Sequence, residues 1–351
     1  MNTTKTWVAH PRRFVHIVAV IVPALLLTAC TGAAPVATSS PTAGGWESTY
    51  AEPAPVVLAP LRGTEVAAGA LTNPSLAAKI DNHEAARPQI GLDRTDIVFE
   101  ELVEGGLTRY VAVWHSDVPE EIGPVRSIRP MDPDIMSPFG GIAAYSGGAQ
   151  SFLDLIRAAP VFNVSFDEDT TGLFSRISSK SAPHNVVLKA SELVSRHMDL
   201  PAPAQQFAYA PSMAASSAMV DGTPISAINT RFSTVRWPSW SWDATAQSYL
   251  RSQEGGADLD SNGAQLKSTN VVTMRVAIDT KYGAVPKTTM IGSGEASVST
   301  GGQTISATWV KDSQTDPIRL VDANGATIRL APGNTWIELV PTGQGSVELV
   351  P

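Results

Sequence analysis

Ile97-Val98-Phe99-Glu100-Glu101-Leu102-Val103-Glu104-Gly105-Gly106-Leu107-Thr108-Arg109-Tyr110-Val111-Ala112-Val113-Trp114 is the stretch from which the fold is read. Two β-prone runs, 97–103 and 107–114, flank a turn whose glycines tolerate the positive φ angles that tight hairpins need. Upstream, residues 76–81 form another short strand. Downstream, 131–139 reads as a short proline-limited helix, 142–145 as a buried strand and 149–158 as a helix. Leu193, Val194, His197 and Leu200 recur at helical spacing and close this region on a helix.

Residues 201–218 are rich in Pro, Ala and Ser and read as a linker or a long surface connection. Beyond them the chain turns β-rich, with strands expected at 231–235, 248–251, 271–278, 304–310, 318–321, 327–330 and 336–340. Turn pairs such as Asn262-Gly263 and Asn324-Gly325 separate them. The expected fold is mixed α/β (α+β), a layered sandwich of sheet and helix with a β-rich C-terminal part. The expected organisation is a signal peptide at 1–29, a flexible tether at 30–55, an N-terminal part at 56–200, the linker at 201–218 and a C-terminal part at 219–351.

The single cysteine decides where the protein is expected to work. Cys30 closes Leu27-Thr28-Ala29-Cys30 behind a basic segment (Lys5, Arg12, Arg13) and an apolar run at 14–27, the pattern of a lipoprotein signal. Cleavage before Cys30 would free it for acylation and hold the protein on the outer face of a bacterial plasma membrane through its lipid. The apolar run is broken by His16 and Pro23 and is shorter than the ~20 residues that span a bilayer. With Cys30 used, no cysteine is left for a disulfide, a zinc thiolate or a thiol nucleophile.

The whole chain carries a formal charge of -8, and loss of the leader's three cations leaves -11. Such acidity argues against binding nucleic acid by counterion release. No HExxH or similar spacing points to a metal, so neither a metal nor a cofactor is expected.

Three polar stretches are candidates for chemistry. In Gly123-Pro124-Val125-Arg126-Ser127-Ile128-Arg129-Pro130 two arginines stand between prolines. They can fork onto carboxylate or phosphate oxygens, or bond the hairpin acids Glu100, Glu101 and Glu104 as an internal network. Ser146-Gly147-Gly148 leads from a strand into a helix and is read either as an anion cradle or as a bare structural turn. Arg176 precedes Ala182-Pro183-His184-Asn185, and His184 is the best general acid or base among the four mature histidines. Glu100, Glu101 and Glu104 are expected on a solvated or Arg-paired edge. Trp237, Trp240 and Trp242 are read as three rings on one strand face, packed on the core or stacking on sugars.

Together with Ile80-Asp81-Asn82, Ala86-Arg87-Pro88-Gln89-Ile90-Gly91-Leu92, Glu104-Gly105-Gly106-Leu107-Thr108-Arg109 and Pro332-Gly333-Asn334-Thr335-Trp336, these runs resemble the YerB-like lipoproteins. That bacterial envelope family is built on a two-part domain of unknown function. The resemblance spans about residues 57–345 and implies one compact layered body rather than two independent modules. The expected function is a surface-anchored protein binding an anionic envelope ligand, such as a phosphate-containing polymer or a peptidoglycan fragment. The expected ligand site is Arg109, Arg126, Arg129, Ser146, Gly147, Gly148, Arg176 and Asn185. A hydrolase using His184 or Glu104, with Ser127 or Ser146 as partner, and a non-catalytic scaffold for envelope proteins are the alternatives.

Overall fold

The computed structural model describes residues 55–351. The leader, Cys30 and all but the last residue of the expected tether lie outside the described residues. In chain order the N-terminal part supplies β1 (Leu76–Asp81), β2 (Ile97–Leu102), β3 (Thr108–Trp114), α1 (Asp132–Met136), β4 (Ile142–Tyr145), α2 (Gln150–Arg157), β5 (Phe162–Ser165), β6 (Phe174–Arg176), β7 (Val186–Lys189) and α3 (Ala190–Ser195). The C-terminal part supplies β8 (Ala227–Arg231), β9 (Pro238–Asp243), β10 (Ser248–Gln253), β11 (Asn270–Val276), β12 (Gly292–Thr300), β13 (Gln303–Lys311), β14 (Thr335–Pro341) and β15 (Ser346–Val350).

One large sheet runs β13-β12-β11-β14-β2-β3-β1-β4-β5, so strands of both parts lie in it side by side. Its centre is the parallel pairing of β14 with β2, in the register Thr335↔Ile97 to Glu338↔Glu100. Strands β1 to β3, β11 and β14 are buried on both faces, which is why they read as near-continuous apolar runs. Period-2 alternation sorts their side chains. Ala77, Phe99, Val111, Val113, Met274 and Ile337 face α1 and α2, where Ile135, Met136, Phe152 and Ile156 cover them. Ile80, Val98, Tyr110, Trp114, Val271 and Trp336 face the other way, onto α3, the small sheet of β6 and β7, and the sheet β10-β9-β8-β15. The fold is thus mixed α+β, mostly β, in three layers.

The stretch after α3 lies against the core. Phe207 and Tyr209 enter the helix-side cluster, and Gln206 Nε2 donates to the Pro138 carbonyl at 3.0 Å. Gly63 allows this: its φ is +64°, and a Cβ there would fall 2.1 Å from Tyr209 Cγ.

Several local expectations are corrected. Arg231 ends β8, and residues 232–235 turn the chain back into antiparallel β9, with Phe232 N donating to the Arg236 carbonyl at 3.0 Å and Ser233 Oγ to the Gly106 carbonyl at 2.6 Å. Residues 327–330 make only isolated bridges to Val321 and Tyr209. The last helix of the N-terminal part stops at Ser195, before His197 and Leu200. Trp237 precedes β9 and is exposed, while Trp240 is fully buried. Positions three apart point to opposite faces of a strand, so the three rings cannot share one. Glu100 and Glu101 lie on a central strand and are buried, not on a solvated edge.

The acids of that central strand are neutralised from both sides. Glu100 faces the second sheet, where the fully buried Arg251 reaches it and also donates to Asp258 Oδ2 at 3.0 Å and Glu338 Oε1 at 3.2 Å. The Arg251 guanidinium lies 4.6 Å from the Trp336 ring centre and 5.2 Å from that of Trp240. Burial works against its charge, yet Glu100, Tyr110 and Glu338 hold its pKa well above the ordinary arginine value. Burial, reinforced by Glu100, pushes the Glu338 carboxyl well up. This network joins the two parts through charges that neither could bury alone.

Candidate functional site

The site forms where the large sheet splits. β4 pairs with β1 only along Leu76 to Ala78. Past that point the loop 123–129 takes its place: Arg126 N donates to the Lys79 carbonyl at 2.8 Å, and Asp81 N donates to the Pro124 carbonyl at 2.9 Å. The far side of the loop is held by Ser146 N on the Arg126 carbonyl and by Ile128 N on the Gly147 carbonyl. Val125 N also donates to the Val186 carbonyl of β7, which brings the loop carrying His184 alongside.

Register then gathers the charges. Arg109 stands opposite Asp81 on β1 and opposite Glu101 on β2, so all three share the helix-side face at one end of the sheet. Lys79 lies one pleat deeper on the same face, fully buried, in contact with Glu101 and 2.7 Å from Asp132 Oδ1. Burial lowers its pKa to about 8, although Asp132 opposes the shift.

Asp81 is the hub. Its Oδ2 is 2.7 Å from His184 Nδ1 and 3.1 Å from Arg126 Nε, and its Oδ1 accepts the His83 N–H at 3.1 Å. The His83 ring stacks on His184 with centroids 4.3 Å apart. Arg129 forks onto Glu104, with Nε and Nη2 each 2.8 Å from a carboxylate oxygen. Burial would raise the Glu104 carboxyl, but this fork outweighs burial and leaves it below its ordinary value.

Arg109 is the exception. It is 7 % exposed, donates to the Ser127 carbonyl at 2.9 Å, and has no carboxylate within 4 Å among the described residues. Burial first, then the charges of Arg129 and Arg126, lower its pKa to about 10 against the weaker pull of Asp81 and Glu104. Two acids serve Lys79, one serves Arg126, one serves Arg129 and none serves Arg109.

The structure therefore brings together Arg109, Arg126, Arg129, Glu104 and His184, with Ser127 Oγ 3.4 Å from Ser146 Oγ beside them. It divides the hairpin acids: only Glu104 pairs with the arginines of the loop, while Glu100 and Glu101 take Arg251 and Lys79. At Gly147 the space a Cβ would fill is taken by Asp167, whose Oδ2 lies 1.8 Å from that position. A carboxylate of the chain itself thus crowds the turn Ser146-Gly147-Gly148. Arg176 is exposed, stacks 4.8 Å over Phe166 and donates to Asn185 Oδ1 at 2.7 Å. Asn185 in turn donates to the carbonyls of Ile177 and Lys180, closing the loop that presents His184. These two residues flank the hub without touching Asp81. Asp81 entered the sequence reading only within the run Ile80-Asp81-Asn82, His83 only as a histidine ranked behind His184, and Lys79 not at all; the signal for a hub was an acid ending an apolar strand.

Among the described residues no cluster of three or more His, Cys, Asp or Glu side chains could hold a metal, and no helix is long and apolar enough to cross a membrane.

Two successive family models cover most of the chain. Residues 61–201 match the N-terminal domain, and 228–337 the C-terminal domain, of the "protein of unknown function (DUF3048)" models, and the chain belongs to this YerB-like family. It is 36 % identical over 130 residues to "Putative lipoprotein YerB" of Bacillus subtilis strain 168, a match covering 36 % of this chain and 38 % of that protein. The crystal structure of the Bacillus subtilis YerB protein superposes with a TM-score of 0.72 at 22 % identity, over 83 % of this chain and 99 % of the other. That likeness bears on the fold alone.

Proposed function

We propose that this protein is a lipoprotein, anchored through Cys30 to the outer face of a bacterial plasma membrane. It binds an anionic envelope ligand, a phosphate-containing polymer or a peptidoglycan fragment, between Arg109, Arg126 and His184. The name of the Bacillus relative supports the lipid anchor. The observation that carries the binding reading is Arg109, a buried guanidinium beside two others with no acid of its own. A buried charge without a partner is costly, and an incoming anion would offset that cost.

The test is thermal melting of the full chain in detergent against inorganic phosphate and sugar phosphates. Binding to the native state alone raises the midpoint with dose by mass action. The rise is expected to vanish in Arg126→Ala, whose own unliganded midpoint is lower because the buried Asp81 keeps only His184 as side-chain partner, so each variant is read against its own unliganded melt. No rise with any anion would sink the reading.

One observation favours a second reading, hydrolysis of the same ligands. Asp81 holds His184 through Nδ1 at 2.7 Å, which leaves Nε2 available as a general base. On this reading, release of phosphate or cleavage of a phosphodiester is lost in His184→Gln even at ligand concentrations that saturate the melting shift of that variant.

A further inference from the structure

We propose that a second cleft, on the far side of Glu104, binds an extended peptide bearing a free carboxylate. The cleft encloses about 1010 Å³ and opens where β11, β14 and β2 end. These three neighbours are mutually parallel, so they end on the same edge of the sheet, and their exit loops at Ala277, Thr342 and Val103 diverge to leave a hollow. In open α/β sheets ligands bind in the crevice at the carboxyl ends of parallel strands, the arrangement these three share. The opposite wall is the loop after β8, fixed by the bond from Ser233 Oγ to Gly106. Beneath it Leu102, Phe232 and Val340 form a small buried cluster of their own.

The lining chooses the ligand. Two charged groups face the cleft, Glu104 and Arg231. Glu104 is neutralised by the fork from Arg129. Arg231 is exposed, donates Nε to the Ser233 carbonyl at 3.1 Å, and has no acid within 4 Å among the described residues. The uncompensated charge is therefore positive and suits a carboxylate. No aromatic ring lines the cleft, so a sugar face has nothing to stack on, whereas Ser233, Thr342, Gln344 and the turn backbones can pair with peptide groups.

This site is separate from the arginine site and stands without it: phosphate melting reads one, a peptide the other. The probe is N-acetyl-trialanine, compared with its C-terminal amide, titrated into the full chain in detergent and followed by calorimetry. The acid is expected to bind at millimolar concentration about threefold to fivefold more tightly than the amide, as befits an ion pair with an exposed arginine. Arg231→Gln is expected to erase that difference. Gly343→Trp is expected to abolish binding of both peptides with an unchanged melt, because a Cβ at Gly343 meets nothing within 4 Å and its backbone is not left-handed. The proposal is overturned if neither peptide binds, if acid and amide bind equally, or if Arg231→Gln leaves the preference intact. Binding that survives in a folded Gly343→Trp overturns it too.

Discussion

Replacing Arg251 by methionine removes the one cation shared by Glu100, Asp258 and Glu338 while keeping most of the side chain's bulk. Removing one partner of a buried ion pair costs about 3–5 kcal/mol. Three carboxylates lose their partner here, and two of the four groups belong to strands that join the parts, so about 4 kcal/mol is expected at pH 7. With a urea slope of about 3 kcal/mol/M the midpoint falls by roughly 1.3 M. The loss depends on pH with a defined sign. Burial raises the Asp258 and Glu338 carboxyls, and without Arg251 they bind protons more tightly still than in the unfolded chain, so the penalty is full at neutral pH and shrinks on acidification through their raised pKa values. Urea unfolding read by tryptophan fluorescence at pH 7 and pH 5 measures both terms, since the rings of Trp240 and Trp336 lie against the guanidinium. Adding Glu100→Gln and Glu338→Gln is expected to restore more than half of the loss. A cost below about 1 kcal/mol, typical of an exposed pair, would refute the reasoning. So would a cost that is the same at both pH values.

Two further outcomes follow from burial and backbone geometry. His115 is 1 % exposed, and burial lowers its pKa against the opposing pull of Asp96 and of the Asn73 backbone. Between that lowered value and the unfolded value near ~6.5 the unfolded chain binds the extra proton, so stability is full above this window and falls as pH drops through it. Melting midpoints from pH 7.5 to 5.5 are expected to fall less steeply in His115→Leu than in the parent. Gly63→Ala combines a left-handed backbone with a clash against Tyr209 and should cost about 2 kcal/mol or more in chemical unfolding. In a Tyr209→Gly background, which removes the Cβ that would lie 2.5 Å away as well as the ring, only the backbone part, roughly 1 kcal/mol, is expected to remain.

The hairpin of β2 and β3 was legible because two apolar runs meet at a glycine turn, a local signal. β12 was not. Its sequence, Gly292-Ser293-Gly294-Glu295-Ala296-Ser297-Val298-Ser299-Thr300, has little apolar content, and it is a strand because β11 and β13 pair with it along its length. Tertiary pairing overrides propensity there. The candidate site divides in the same way. Arg126, Arg129 and His184 stood out in polar loops, whereas Asp81, their hub, sits 103 residues from His184 and ends an otherwise apolar strand. Arg251 was read only as the end of a strand: Asp258 is 7 residues away, but Glu338 and Glu100 lie 87 and 151 residues away. Which acid meets which base is fixed by register, and register across such distances leaves no local trace.

The pairing of β14 with β2 also bears on how the chain is made. Thr335 meets Ile97 only after 238 further residues have been synthesised, which at about 5–20 residues per second takes roughly 12–48 s. During that interval β2 has an open edge beside β3, with Val98, Phe99 and Leu102 on it, a template for pairing with another chain. Neither half is then a self-sufficient unit of biogenesis. A chain truncated before residue 335 would keep that edge open permanently, so nascent copies need shielding until the last part of the sheet arrives.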